Sequence, residues 1–165
     1  MAGISEKFHM RREDKETTDS KKLEHIIRGA KMCHLALIDD DEPYVVPVTI
    51  GYDNGCIYFH SALEGRKVSI IKKNNRVCFN VLTDVEPEHI EESAICRVIY
   101  GSVIGVGRAY IIEDNEEKVR GLRAIMRQNL GYEFDFAQDR LTSTLVVRID
   151  IEKMRGKESL PYTAS

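Results

Sequence analysis

The segment EPYVVPVTIGYDNGCIYFHSA, residues 42–62, constrains the fold of this chain more than any other. Two runs rich in β-branched and aromatic residues flank Asp53-Asn54-Gly55, and an Asn-Gly pair in this position is typical of a two-residue hairpin turn. The segment therefore predicts two antiparallel strands. Pro47 cannot donate a ladder hydrogen bond, so the first strand must be at an edge, bulged, or open beside this residue.

Runs with the same period of two predict further strands before and after the hairpin. These are MCHLALIDD, RVCFNVLTD, AICRVIYGSVIGVGRAYII, which is long enough for one bent strand or two, and STLVVRIDI. A helical period appears only at the start, after the hairpin from Arg66, and late in the chain. Since strands and helices do not alternate, we predict a mainly β fold, an antiparallel barrel or curved sheet with flanking helices.

Capping residues mark the ends of the predicted helices. The first helix begins at Asp19 or Ser20, and Gly29 near its end suits a C-terminal cap. The late helix begins with a capping-box pattern of Asp114 and Glu117, and it stops at Gly131.

The length of 165 residues predicts one domain, here residues 18–157, with a polar N-terminal arm at 1–17 and a C-terminal tail at 158–165. The formal net charge of −3 excludes a global basic footprint for nucleic acid, so any anion site must be local. We find no leader-like or membrane-spanning apolar run.

The sequence contains four cysteines, Cys33, Cys56, Cys78 and Cys96, and no Cys-x-x-Cys pair. This usage predicts buried thiols in a reducing compartment rather than disulfides, and hence a cytoplasmic protein.

The stretch YFHSALEGRK, residues 58–67, places a histidine, a hydroxyl and two cations around a strand-to-helix junction. A helix start offers free N–H donors and the positive end of a dipole, so Ser61, Arg66 and Lys67 predict a phosphate site. A surface turn with solvated charges is the alternative, and these ten residues alone leave both open.

Other motifs do not meet their chemical requirements. In GSVIGVG, the third glycine of a dinucleotide-binding loop would be at position 110, which is Tyr110. Neither a P-loop nor a Gly-x-Ser-x-Gly elbow occurs. Cys56 and His60 share a strand face, but four residues of strand span about 13 Å, so they cannot share an ion. We therefore predict no metal site.

Five motifs occur in the order of one known group: MRRED, CHLALIDDDEPYVVPVTIGYDNGCIYFHSALEGRK, VCFNV, YGSVIGVGRAYIIED and VVRIDIEKMRGK. Over residues 10–157 the chain resembles the FMN-binding split-barrel flavoproteins related to pyridoxamine 5′-phosphate oxidase, in particular the nitroimidazole-resistance (Nim-type) branch. The resemblance implies a six-stranded antiparallel split barrel and a homodimer with FMN at the subunit interface.

The resemblance also implies the site residues. Ser61, Arg66 and Lys67 would hold the FMN phosphate, and His60 would lie near the flavin and the substrate pocket as a proton donor. The remaining residues would contact the flavin ring, four of them beneath it and the last from the partner subunit: Val46, Pro47, Val48, Thr49 and Ser102.

The function implied is that of an FMN-dependent oxidoreductase that reduces small nitro- or quinone-type aromatics, with an electron donor such as NAD(P)H. A non-catalytic flavin- or haem-binding module, with His60 or His34 as an axial ligand, is the alternative from another class. An interaction protein that has lost its cofactor is a third, which the phosphate-binding set disfavours. Gly101 and Val106 stand where Nim-type relatives often carry a larger or basic residue, which predicts a differently shaped pocket.

Overall fold

The computed structural model describes residues 13–90 and 95–159, which form a single antiparallel sheet with four flanking α-helices and a short 3-10 helix at Glu13–Lys15. The sheet order is β1-β7-β4-β3-β2-β5-β6, and a further pairing of β6 with β7 closes it into a barrel. The strands are β1 Glu16–Thr17, β2 Met32–Asp39, β3 Glu42–Asp53, β4 Cys56–Ser61, β5 Arg76–Ile90, β6 Ile95–Ile112 and β7 Leu145–Ser159. The helices are α1 Ser20–Gly29, α2 Arg66–Lys73, α3 Asn115–Leu130 and α4 Gln138–Ser143.

Six strands form the barrel wall, as predicted, but the sheet has a seventh. The extra strand is β1, whose two residues pair with β7. It lies in the predicted N-terminal arm, of which residues 1–12 are outside the described residues. Strand β7 continues past the predicted end at Ile151, because its second half pairs with β6. Strand β6 is one bent strand, with a register shift against β7 between Val106 and Gly107.

The predicted hairpin and the end of the late helix are confirmed. Asn54 and Gly55 have φ values of 48° and 80°, the two positive φ angles that a tight hairpin turn between twisted strands requires. Gly131 ends α3 in the left-handed conformation, and its N–H donates to the carbonyl of Arg127. Asp114 caps the start of α3 by accepting from the backbone N–H of Glu117.

At α1 the predicted N-terminal cap is right and the predicted C-terminal cap is wrong. Asp19 accepts hydrogen bonds from the first backbone N–H groups of the helix. Gly29, however, is the last helical residue, and Ala30 caps the helix in an extended conformation. A Cβ at Gly29 would lie 2.8 Å from Thr83 Oγ1, so this glycine allows α1 to pack closely against β5.

Alternate residues of the strands fill the barrel, and a second apolar cluster lies outside it. The interior includes Leu35, Ile50, Phe59, Phe79, Val103, Val147 and Ile149. The outer cluster joins β4 and β7 to α3 and α4, and it comprises Tyr58, Leu122, Ala124, Ile125, Leu141 and Val146. Strand β4 therefore has one face inside the barrel and the other beneath α3.

The cysteines whose side chains the structure describes are free thiols. Cys33 is buried in the barrel, and this burial raises the pKa of its thiol to about 12, so it is inert at neutral pH. The side chain of Cys96 is outside the described residues. Among the helices described, none is both long and apolar enough to cross a membrane.

Candidate functional site

Ser61 is the last residue of β4, and its side chain lies on the same face as Phe59, toward the barrel. The residue is 9% exposed, and its Oγ has no hydrogen-bond partner in the described part of the chain. A buried hydroxyl without a partner costs about 1–3 kcal/mol, and such groups are rare in folded proteins. Its position therefore indicates that the hydroxyl is available to a ligand.

Helix α2 begins five residues after Ser61. Its N-cap is Gly65, whose φ of 135° favours glycine, and no side chain caps the first turn. The first N–H groups of a helix have no acceptor within the helix, and together with the helix dipole they attract anions. The start of α2 therefore presents backbone donors to the same region as the junction residues predicted to bind phosphate.

The two cations of the junction differ in their surroundings. Arg66 donates through Nε to Asp39 and through Nη2 to Glu42, both at 2.9 Å, and its guanidinium lies 4.9 Å from the centre of the Tyr44 ring. The hydrogen bonds with these carboxylates raise the pKa of Arg66. Lys67 is half-buried, and the described residues include no ion-pair partner for it.

Among the described residues, strand β3 has no neighbour along one edge for eight of its twelve residues. Its first part, from Glu42 to Thr49, pairs with β2, but pairing with β4 begins only at Ile50. The Ile50 N–H donates to the Lys31 carbonyl on the β2 side, so by alternation the backbone of Pro47 and Thr49 faces away from β2. The missing N–H of Pro47 thus lies at an edge that no described strand covers, as the sequence predicted.

The predicted ring-contacting residues of β3 alternate between two faces. Val46 and Val48 point their side chains into the core, whereas Pro47 is exposed and Thr49 half-buried on the outside. Their shared feature is therefore the open backbone edge rather than a common side-chain surface.

Ser102 lies on a different part of the sheet. Across the outer surface, Pro47 is opposite His34, His34 opposite Asn80, and Asn80 opposite Ile104. Ser102 lies two residues from Ile104 on the same face. Pro47 and Ile104 are three strands apart, about 14 Å along the sheet, so Ser102 does not adjoin Pro47 within one chain.

His60 points away from Ser61. It is exposed on the β4 face that carries Tyr58, at the rim of a cavity of ≈420 Å³ beside α3. The structure therefore places the phosphate-binding candidate and the proton-donor candidate on opposite faces of one strand end. The sequence did not indicate the other residues around this cavity as site residues. They are Leu122, Ile125, Met126, Phe134, Phe136 and Thr144.

Ion pairs and hydrogen bonds connect α3 to the sheet near this cavity. Arg148 donates to Asp150 at 2.6 Å and to Glu117 at 2.5 Å, and these bonds raise the pKa of Arg148. Cys56 donates to Asp150 at 3.5 Å, but desolvation and this carboxylate raise the pKa of its thiol, which disfavours the reactive thiolate. Within residues 13–90 and 95–159, no cluster of three His, Cys, Asp or Glu residues is arranged to hold a metal ion.

Comparison with known proteins gives one family match and several similar structures. The family model described as pyridoxamine 5′-phosphate oxidase matches residues 19–158. A structure of a candidate 5-nitroimidazole antibiotic resistance protein from Bacteroides thetaiotaomicron is 29% identical, with a TM-score of 0.77 over 86% of this chain and 85% of that one. No curated protein matches significantly.

Two more distant structures share the fold alone. The flavocytochrome Anf3 from Azotobacter vinelandii is 17% identical, with a TM-score of 0.77 over 93% of this chain and 73% of its own. A FAD and heme binding protein from Mycobacterium smegmatis is 16% identical, with a TM-score of 0.77 over 92% of this chain and 76% of its own.

Removing the Ser61 hydroxyl should not destabilise the protein in the absence of a ligand. Because Oγ is buried and no described residue is its hydrogen-bond partner, we expect Ser61→Ala to leave the free energy of unfolding unchanged or to raise it by up to about 1 kcal/mol. Asn129→Ala serves as the contrast, because that amide donates to the carbonyls of Ile50 and Ile125 at 2.7 Å, and its loss should cost about 1–3 kcal/mol. Denaturant titration of both variants measures this, and equal losses would show that Ser61 has a structural partner.

Proposed function

The chain belongs to the pyridoxamine 5′-phosphate oxidase family, and on this premise we propose that it is an FMN-binding oxidoreductase that reduces small nitro- or quinone-type aromatics. The observation that carries the proposal is the buried, unpartnered hydroxyl of Ser61 before the uncapped start of α2. A phosphate group supplies the acceptor oxygens that this hydroxyl and these N–H groups lack. Supporting evidence comes from the similarity to the Bacteroides protein.

The proposed phosphate site combines neutral and charged hydrogen-bond donors. The Ser61 hydroxyl and the first N–H groups of α2 donate to the phosphate, and Lys67 adds a charge that no described carboxylate neutralises. Arg66 is already paired, but Arg66 and Glu42 are exposed, and exposed ion pairs contribute only about 0–1 kcal/mol. The guanidinium can therefore exchange a carboxylate for a phosphate at small cost, or use its Nη1, which has no acceptor among the described residues.

The open edge of β3 suits the polar edge of a flavin ring. The N–H of Thr49 and the carbonyl of Pro47 face this edge, where no strand of the described residues pairs with them. When bound, the flavin supplies the redox chemistry, and the protein supplies position and electrostatics. His60 would donate a proton to the acceptor as charge develops on it, because an imidazole can act as a general acid.

We further propose that the protein is a homodimer, formed through the outer surface of β3, β2, β5 and β6. Apolar side chains are exposed along this four-strand face, among them Met32 at 45%, Val45 at 60%, Leu82 at 42% and Ile104 at 37%. Such a contiguous apolar surface is typical of an interface. A partner would also bring its own Ser102 to the flavin site, which one chain cannot do across three strands.

A haem-binding module is the second candidate. It is favoured by His34, which is exposed within the same apolar face between Pro47 and Asn80. A non-covalent haem would use such a histidine as its axial ligand. The absorption spectrum of the purified protein separates the two candidates, because flavin bands support the first and a Soret band the second.

Removing the cations of the junction should weaken the binding of FMN and leave the binding of riboflavin unchanged. A charge-assisted hydrogen bond contributes about 1.5–3 kcal/mol, so Arg66→Ala or Lys67→Ala should weaken FMN roughly ten- to a hundredfold. Lys72→Ala, at the far end of α2, is the matched control. Quenching of flavin fluorescence gives all the affinities. If both junction variants hold FMN as tightly as the parent, residues 61–67 are a surface turn.

A charge in the four-strand face should separate the subunits. We expect Ile104→Glu to sediment as a monomer and to lose most of its FMN, because a buried carboxylate opposes association. Leu130→Glu, at the exposed end of α3, should remain dimeric and yellow. A stable monomeric parent that binds FMN stoichiometrically would contradict the proposal.

His60 should affect turnover more than flavin retention. A general acid contributes about a hundred- to ten-thousandfold, so His60→Ala should lose activity of that order while it stays yellow and dimeric. The measurement is the rate per bound flavin toward a nitro or quinone acceptor, in parent and variant, over about pH 5–8. An unchanged rate and pH profile would exclude the catalytic role and leave His60 as a packing residue.

A further inference from the structure

A groove of ≈290 Å³ lies at the C-terminal end of α2, the end of this helix that is farther from Ser61. Its sides are the last residues of α2, the residues that follow them, and the last residues of β6. An eight-residue helix is about 12 Å long, so this groove is separate from the phosphate site proposed at Ser61. Its volume is close to the lower limit of about 300 Å³ for small-molecule sites, so a ligand must be small.

The groove carries two positive charges that no described carboxylate balances. Lys72 and Lys73 line it and are exposed, and neither has an ion-pair partner among the residues that the structure describes. Arg108 on the neighbouring strand differs, because it pairs with Glu152 at 2.9 Å. Lysines are favourable at any helix C-terminus, so these two charges alone do not identify a site. They do show that an occupant of the groove should be an anion.

The end of β6 has an open backbone edge toward this groove. Strand β5 pairs with β6 only as far as Arg108, whereas β7 pairs with it up to Ile112. The Ala109 N–H donates to the Asn75 carbonyl at 2.8 Å, so by alternation the N–H and the carbonyl of Ile111 face the same side. No described strand pairs with Ile111 on that side. The groove therefore offers a backbone donor and a backbone acceptor next to each other.

Two side chains with fixed positions border the groove beside this edge. Asn75 accepts from Arg108 Nη1 through Oδ1 at 3.1 Å, which leaves its Nδ2 as a donor without an acceptor among the described residues. The Tyr110 residue is 39% exposed, and the Arg148 guanidinium lies 5.6 Å from the centre of its ring. A cation over one face of the ring holds it in place and leaves the other face for stacking.

We propose that this groove binds a nucleoside monophosphate. Lys72, Lys73 and the Asn75 amide donate to its phosphate. The N–H and the carbonyl of Ile111 bond to its base, and the Tyr110 ring stacks on that base. Adenine suits this edge, because it presents an acceptor, N7, beside a donor, the N6 amino group. The site is independent of the proposed function, since none of these residues takes part in flavin binding.

The test uses protein that has been given one equivalent of FMN, and isothermal titration calorimetry with AMP, adenosine and ribose 5-phosphate. We expect a Kd for AMP of about 10–1,000 µM, as ligand efficiency allows for a molecule of this size. Adenosine lacks the phosphate and ribose 5-phosphate lacks the base, so each should bind at least about tenfold more weakly.

Two pairs of lysines test the phosphate contacts. The double variant Lys72→Ala/Lys73→Ala should weaken AMP about ten- to a hundredfold and adenosine by less than about twofold, because only the phosphate loses its partners. The double variant Lys21→Ala/Lys22→Ala is the matched control, since it removes two adjacent, exposed lysines from the start of α1. It should bind AMP as the parent does.

Two tyrosines of β6 test the stacking. Tyr110→Ala should weaken AMP and adenosine by the same factor, about tenfold or more, and leave ribose 5-phosphate unchanged. Tyr100→Ala is the matched control, because Tyr100 also has a cation over its ring, Lys157 at 5.8 Å, but does not line the groove. Circular dichroism shows that the variants remain folded.

Several results would overturn the inference. These are no binding of AMP at about 1 mM, AMP binding no tighter than that of ribose 5-phosphate, and AMP binding that both lysine pairs weaken equally. AMP binding that Lys67→Ala weakens and Lys72→Ala/Lys73→Ala does not would belong to the site at Ser61. A parent that binds AMP through Lys72, Lys73 and Tyr110 but does not bind FMN supports the inference and overturns the proposed function.

Discussion

Closure of the barrel by β6 and β7 is the constraint on which the other features depend. The two long strands pair along their length. This pairing requires β6 to bend and to approach its neighbours closely. A Cβ at Gly107 would lie 2.2 Å from the carbonyl oxygen of Asp150, and one at Gly105 would lie 2.3 Å from the Phe79 ring. Because closure fills the interior with side chains, every helix must lie outside the barrel. Helix α3 covers the outer face of β4, and the four-strand face is left exposed.

The end of β4 separates two chemical environments by one residue. Side chains alternate along a strand, so Ser61 points into the barrel side while His60 points toward α3. A phosphate held by Ser61 and α2 would thus lie on the opposite side of the backbone from the cavity beside His60. A substitution at His60 therefore leaves the side chain of Ser61 in place, and a substitution at Ser61 leaves that of His60 in place.

Most of the secondary structure could be predicted from sequence because it depends on local preferences. The Asn54-Gly55 turn, the caps at Asp19 and Gly131 and the alternation of the strands each follow from a few neighbouring residues. Strand β1 was missed, since two residues carry no periodic signal and are extended only because β7 lies beside them. Gly29 was misassigned because glycine occurs both as a helix C-cap and where two elements pack closely. Only the closeness of Thr83 shows that Gly29 is a packing position.

The sequence by itself determined the family, the barrel class and the residues of the junction, because motifs and periodicity are properties of the chain alone. Only the tertiary structure decided how those residues are used. Within the described residues, it left the Ser61 hydroxyl buried without a partner, paired Arg66 with Asp39 and Glu42, and left the edge of β3 at Pro47 without a neighbouring strand. It also assembled the cavity from segments more than 60 residues apart in sequence, between His60 and Leu122. Burial and proximity depend on how distant segments pack, so no local pattern encodes them.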